Sequence, residues 1–221
     1  MFPASFHIDR DGPACILRLA SPDGTNRLTR ACVLALTVAI GELRGESTKQ
    51  VRPLIVAGNR HFFSVGADLK EIAVLTGPEG YEFSAMGQAL MNAIAGYPAP
   101  VIAAIEGHCM GGGLDLALAC HRRIAAPHAV FGHRGAALGL MTGWGGTQRL
   151  PRLIGKGRAL ELLTAAEKIS AVRAFEMGLA DAIADDPVAE ALRQALIRPM
   201  LTRPMVKRPG TSPETLSSKR D

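Results

Sequence analysis

Three consecutive glycines, Gly111 to Gly113, separate the apolar run "PVIAAI" from the apolar stretch "LDLALAC". An apolar run closed by glycines and followed by a helix-compatible segment reads as a strand turning directly into a helix. Glycine is a poor choice there on stability alone, because it loses more backbone freedom on folding than other residues. Its use implies that something needs the bare backbone. The first amides of a helix have no intrahelical acceptor and lie at the positive end of the helix dipole, so they suit a carboxylate, a phosphate or a developing oxyanion. The pattern also admits a plain tight connection. A second turn of the same design occurs at "VGADLK", where Ala67 and Asp68 are expected to open a helix after Gly66. Asp68 and Asp115 both fall in first turns, where an acid complements the dipole whatever else it does. "GHCMGGG" has the wrong spacing for a dinucleotide fingerprint and no Gly-Lys-Ser/Thr follows, which argues against cradling of nucleotide phosphates.

The rest of the chain repeats the rhythm of strand, strand, helix with short loops, which predicts an α/β domain with ligand sites where strands turn into helices. "FHIDR" and "ACILRLA" read as strands. A helix is expected from about Thr29 to Arg44, with Leu34, Val38, Leu36, Ile40 and Leu43 on its apolar face. "VRPLIVAG", "RRIAA" and "AVFG" read as further strands. "PEGYEFSAMGQALMNAIAGYP" reads as a helix stopped by Gly96 and Pro98, and the second half is mainly helical, including a helix capped by Ser170 and ended by Gly178. Residues 1–187 are expected to form the core, and 188–221 a short helix followed by a basic, disordered tail with Pro199, Pro204, Pro209 and Pro213.

Composition narrows the function classes. The chain has 221 residues, 48% of them hydrophobic, enough for a sizeable core. No apolar stretch reaches membrane-spanning length, and "MFPASFHIDR" has the pattern of neither an export nor an organelle signal, so a cytoplasmic protein is expected. Cys15, Cys32, Cys109 and Cys120 form no Cys-x-x-Cys pair, which predicts buried free thiols rather than zinc or disulfides. The net charge of +5 comes entirely from residues 191–221, and the balanced body lacks a basic stripe with aromatics. Neither a nucleic acid nor a membrane is an expected partner.

Taken together, "HFFSVGADLKEI", "PVIAAIEGHCMGGGLDLALAC", "VFG", "LGLMTGWGGTQRLPRLIGKGRALEL" and "ISAVRAFEMGLAD" resemble the crotonase, or enoyl-CoA hydratase/isomerase, superfamily. The blocks keep the family's order from about Gly12 to Pro187. The resemblance implies a spiral of ββα units with a shortened helical C-terminal part, assembled as homotrimers or hexamers, and no metal or redox cofactor. It implies that the amides of Ala67 and Gly112 hold the thioester oxygen of an acyl-CoA. Gly66, Ala67, Asp68, Leu69, Lys70, Gly111 and Gly112 would line the substrate, and "SPDGTNRL" would lie beside the CoA moiety.

Two positions depart from the family's pattern. Asp115 stands where the first glutamate of a water-binding pair belongs, one carbon-carbon bond (~1.5 Å) shorter. Gly135 stands in place of the second, beside His133 and Arg134. A histidine titrating near neutrality can serve as acid or base, so His133 joins Asp115 as a candidate catalytic residue; a loop pair without a catalytic role is the other reading. His7, His61 and His128 have no constellation around them in the sequence. The expected function is a 2-enoyl-CoA hydratase-like lyase, with a double-bond isomerase, an acyl-CoA hydrolase and a non-catalytic acyl-CoA binder as alternatives.

Overall fold

The structure, a computed structural model, describes residues 5–10, 12–45 and 51–197. The tail expected beyond residue 197 lies outside the described residues. Three sheets carry the fold. The largest has six strands, in the spatial order β1 (Phe6–Asp9), β2 (Cys15–Leu19), β4 (Leu54–Ala57), β7 (Val101–Ile105), β9 (Arg122–Ala125) and β12 (Ala182–Ile183). Only β1 and β2 pair antiparallel; the rest of that sheet is parallel. A second sheet orders β11 (Lys168–Ser170), β10 (Val130–Gly132), β8 (His108–Met110) and β5 (Phe62–Ser64), with β10, β8 and β5 parallel. The third pairs β3 (Arg27–Leu28) with β6 (Gly66–Ala67).

The chain visits the large sheet, then the second sheet, then a helix, and repeats. β4 and β5 lead through β6 to the short helix α2 (Leu69–Ile72) and to α3 (Gly77–Ala95). β7 and β8 lead to α4 (Gly112–Ala119). β9 and β10 lead to a single 3-10 turn (Ala136–Leu138), α5 (Gly146–Ile154) and α6 (Lys156–Ala165). The expected ββα spiral is therefore the observed architecture. The central strands β4 and β7 are buried along their whole length, as their uninterrupted apolar runs require.

The sequence places α1 (Arg30–Gly45) within one residue of its observed bounds, but its apolar face differs from the expectation. Cys32, Val33, Leu36, Ala39, Ile40 and Leu43 are buried, whereas Leu34 and Val38 are 51% and 61% exposed. One face of α1 meets α3. The residues at 33, 36, 40 and 43 fill that face, and 34 and 38, one turn apart, lie beyond it. α3 stops at Gly96, as read from sequence, and its start is fixed by a capping box between Thr76 and Glu79. Strands β3, β6, β8, β11 and β12 are two or three residues long, too short to show an alternating pattern.

α4 is the central helix. Every residue from Gly113 to Ala119 is buried, and the helix touches β5, β6, β8, β9, α3 and α5. A helix apolar all round belongs inside a core, and a carboxylate within it, Asp115, is the exception to be explained. All four cysteines are buried and outside any disulfide. Burial pushes the thiol of Cys32 up to about 11 and that of Cys120 up to about 12, and raises that of Cys109 well above the ordinary thiol range. Such thiols stay protonated at neutral pH and are poor nucleophiles.

The C-terminal elements return to the sheet through a buried cation. Arg123, 1% exposed, donates from Nε to the Leu179 carbonyl at 2.7 Å, from Nη1 to the Cys120 carbonyl at 2.9 Å and from Nη2 to Asp181 Oδ2 at 2.6 Å. The Arg123 amide donates to the same carboxylate oxygen at 2.9 Å. These bonds tie the segment after α7 (Ala171–Glu176) to β9 just before β12 pairs with it. Helix α8 (Pro187–Ile197) then packs on β4, β7 and β9, burying Ala191 and Ala195. Removing one partner of such a pair strands the other, so Asp181→Ala is expected to cost about 3 kcal/mol in urea unfolding. The four thiols are expected to resist iodoacetamide at pH 8 in the native protein and to react once it is unfolded.

Candidate active site

The two glycine turns lie side by side at the carboxyl ends of parallel strands. Gly66, at φ +93°, follows β5; a Cβ there would stand 2.7 Å from the Gly112 amide nitrogen and 2.7 Å from the Met110 carbonyl oxygen. Gly111, at φ +51°, follows β8; a Cβ on Gly112 would stand 3.2 Å from the Ala67 amide nitrogen. The turns are packed backbone against backbone, which only residues without side chains allow. Gly112 is the first residue of α4, where the amide has no acceptor within the helix.

The first turn differs in detail from the expectation. Gly66 and Ala67 form strand β6 rather than a helix start, and the helix begins at Leu69 with Asp68 as its cap, accepting from the Lys70 amide at 2.9 Å. Pairing of β6 with Arg27 and Leu28 holds the amides of the turn in line. Leu69 and Lys70 are exposed, and Asp68 is partly buried with Arg27 Nη1 3.8 Å from its Oδ2. "SPDGTNRL", which the resemblance places along the CoA moiety, leads into β3 and so sits beside the turn. There Asp23 accepts from Ser21 and Thr25, which with the Arg27 guanidinium holds its carboxyl down at about 2.

Three residues that the sequence did not single out fix this geometry. Ser64 Oγ accepts from the Gly66 amide at 3.0 Å and donates to the Asn26 carbonyl at 2.7 Å. Asn26, 2% exposed and at φ +55°, donates from Nδ2 to the Phe62 and Phe63 carbonyls at 2.8 and 3.2 Å. Trp144 fills the space over Gly112: a Cβ on Gly112 would stand 2.6 Å from the indole benzo ring. The Trp144 ring packs at 5.3 Å from Phe83, to whose carbonyl Nε1 donates at 3.2 Å.

One turn into α4 stands Asp115, 3% exposed. It does not act as a surface acid on its own helix. Thr142 Oγ1 donates to Oδ2 at 2.5 Å, and Oδ1 lies against Gly146, which opens α5. The amino-terminal end of α5 supports the negative charge, and so does the nearby guanidinium of Arg149, which is pushed down by burial and raised by Asp115. Asp115 Oδ1 has no hydrogen-bond partner.

His133 comes from the carboxyl end of β10, the third parallel strand. It is 7% exposed, a buried residue in the loop that follows the strand, whereas its neighbour Arg134 is exposed. His133 Nε2 lies 3.9 Å from Asp115 Oδ2 and has no hydrogen-bond partner. Two buried polar atoms left unpaired side by side are costly and uncommon, and such groups cluster at functional sites. Gly66 and Ala67, Gly111 and Gly112, Asp115 and His133 are thus gathered around the carboxyl ends of β5, β8 and β10.

His61 and His128, which show no constellation in the sequence, and His108, which flanks the glycine turn there, line a cleft of ≈ 290 Å³ with Arg60 at the opposite, amino-terminal ends of these strands. Burial and the Lys168 charge lower the pKa of His108. His121 closes the end of α4, with Nδ1 accepting from the Val101 amide at 2.8 Å.

Residues 10–208 match the family model described as enoyl-CoA hydratase/isomerase, and the chain belongs to that family, the crotonase superfamily. It is 46% identical over 151 residues to a probable enoyl-CoA hydratase of Bacillus subtilis, covering 68% of this chain and 58% of that protein. It is 35% identical over 176 residues to the crotonyl-CoA hydratase of Syntrophomonas wolfei, covering 80% and 67%. The enoyl-CoA hydratase of Bacillus anthracis superposes with a TM-score of 0.80 at 34% identity, over 86% of this chain and 75% of that one. The chain therefore spans little more than half the length of the Bacillus subtilis relative.

The two-turn packing makes a direct stability prediction. Gly66→Ala forces a Cβ between two backbones at a positive φ and is expected to lower unfolding free energy by about 2 kcal/mol or more, measured by denaturant titration.

Proposed function

We propose that the protein acts on acyl-CoA thioesters and stabilises an enolate with the Ala67 and Gly112 amides, in a reaction of the 2-enoyl-CoA hydratase type. The observation that carries this is the convergence of the two glycine turns with the buried, partly unpaired Asp115 and His133. Family membership and the hydratase relatives supply the substrate class. Two amides fixed in place before reaction stabilise charge as it develops on the thioester oxygen, and one such donor is typically worth roughly 3 kcal/mol of barrier.

Hydration needs a base and an acid within reach of one another. In the proposed cycle the water oxygen bonds to the β-carbon and its proton passes to the Asp115 carboxylate. The double-bond electrons move onto the thioester oxygen. The α-carbon then takes a proton from the His133 imidazolium as the enolate collapses. Once the product leaves, entering water takes the proton from Asp115 and supplies one to His133, whose Nε2 lies 3.9 Å from Asp115 Oδ2, and the starting state is restored. His133 thus takes the role left by Gly135. The cycle adds water across the double bond, asks only proton transfers of the side chains and needs no redox cofactor.

Gly66, Asp68, Leu69, Lys70 and Gly111 are proposed to line the thioester and its CoA. Assembly as a homotrimer or hexamer belongs to the same proposal. Leu138, Met141, Leu160 and Phe175 are all half or more exposed, which suits apolar surface covered by another copy. Sedimentation velocity reads this directly, and a monomer at micromolar concentration contradicts it. Among the described residues, no helix is long and apolar enough to cross a membrane.

The test is turnover of crotonyl-CoA and a 3-enoyl-CoA in deuterated water, followed by mass spectrometry. Hydration is expected, with Asp115→Ala and His133→Ala each lowering it by about 100-fold or more while thioester binding persists. Double-bond movement without water addition would replace the hydratase with an isomerase. Release of free CoA would indicate a hydrolase, and binding without any reaction a non-catalytic protein.

A further inference from the structure

We infer that Thr142 is a positioning residue, one that fixes the orientation of the Asp115 carboxylate and leaves Oδ1 as the oxygen that meets substrate water. The inference rests on the acyl-CoA reading above. Its physical ground is the freedom of the aspartate side chain, whose terminal torsion is broad and roughly two-fold. A short carboxylate on a buried helix can therefore swing its plane over a wide range of angles unless a neighbour fixes it. Thr142, 9% exposed, does so by donating to Oδ2 at 2.5 Å.

The hydroxyl is itself held. It belongs to the segment before α5, and the next two residues are anchored to α3. Gln88 Nε2 donates to the Gly143 carbonyl at 2.8 Å, and Trp144 Nε1 donates to the Phe83 carbonyl at 3.2 Å. On the other side Gly146 leaves room for Oδ1: a Cβ there would collide with that oxygen and lie 3.1 Å from the Thr142 hydroxyl. The carboxylate is thus lodged between a fixed donor and a residue with no side chain. His133 Nε2 faces Oδ2, the oxygen that Thr142 holds. One carboxylate oxygen is committed to the protein, and the other has no partner. A glutamate reaches further; an aspartate in this position needs its direction set from outside.

The experiment compares Thr142→Val, which keeps the shape and removes the donor, with Thr142→Ser, which keeps the donor. For crotonyl-CoA hydration, Thr142→Val is expected to lower kcat by about 10-fold to 100-fold, the scale of a misplaced reacting group. The dissociation constant of butyryl-CoA should stay within about two-fold, and Thr142→Ser should keep kcat within about three-fold of the parent, since its hydroxyl retains the contact. A kcat for folded Thr142→Val equal to the parent's, or a Thr142→Ser as slow as Thr142→Val, overturns the assignment.

A second readout does not need turnover. In the substrate-free protein the carboxyl carbon signal of Asp115 and the ring nitrogen signals of His133 are expected to move with Thr142→Val and to stay with Thr142→Ser. Unmoved signals overturn the role of Thr142 even if the enzyme hydrates crotonyl-CoA. Moved signals in a protein that does not hydrate uphold the positioning of Asp115 while removing the hydratase reading. Should Thr142→Val fail to fold, the Thr142 hydroxyl proton of the parent decides. A slowly exchanging signal coupled to Asp115 supports the inference, and rapid exchange contradicts it.

Discussion

The structure depends on a contact between two pieces of bare backbone. The Gly66–Ala67 strand and the Gly111–Gly112 turn meet so closely that a methyl group on Gly66 or Gly112 would occupy the space of a neighbouring amide, carbonyl or ring. This contact sets the approach of β5 to β8 and aims the start of α4. It also determines what surrounds it: Ser64 and Asn26 brace one turn, and Trp144 closes over the other. The glycines of the two turns therefore answer a geometric demand rather than a helical one.

The same helix carries a buried carboxylate, and burying an ion in an apolar interior is expensive unless it is paired. Asp115 is supported by a short hydrogen bond from Thr142, by the amino-terminal end of α5 and by the Arg149 charge. The support is incomplete, since Oδ1 and the neighbouring His133 Nε2 have no partners. A protein that needed only stability would have an apolar side chain at this position. Retaining a partly satisfied acid beside a buried histidine makes sense if a reactant completes the pairing, which links the energetics of α4 to the chemistry proposed for it.

Much of this was legible in the sequence because the relevant signals are local. Central strands β4 and β7 are continuous apolar runs, α3 has its glycine stop, and the glycine turns announce themselves. The apolar face of α1 was drawn too wide because periodicity cannot say which partner helix will cover it. The two-residue and three-residue strands fall below the length at which alternation can be seen. Thr142 and Ser64 were missed for a different reason: a single hydroxyl carries no pattern, and its role comes from a neighbour distant in the chain. His133 was visible only as a polar residue beside a missing carboxylate. Its meaning comes from the parallel pairing of β8 with β10, which brings residue 133 beside residue 115.

Isotope-edited infrared spectroscopy of crotonyl-CoA labelled at the thioester carbonyl tests the central claim most directly. If the Ala67 and Gly112 amides hold that oxygen, the carbonyl band moves to lower frequency on binding than in water. The shift should persist in Asp115→Ala, which removes an acid and leaves the amides in place. A bound thioester whose carbonyl band matches the free compound in water would contradict the account, whatever the rate of turnover.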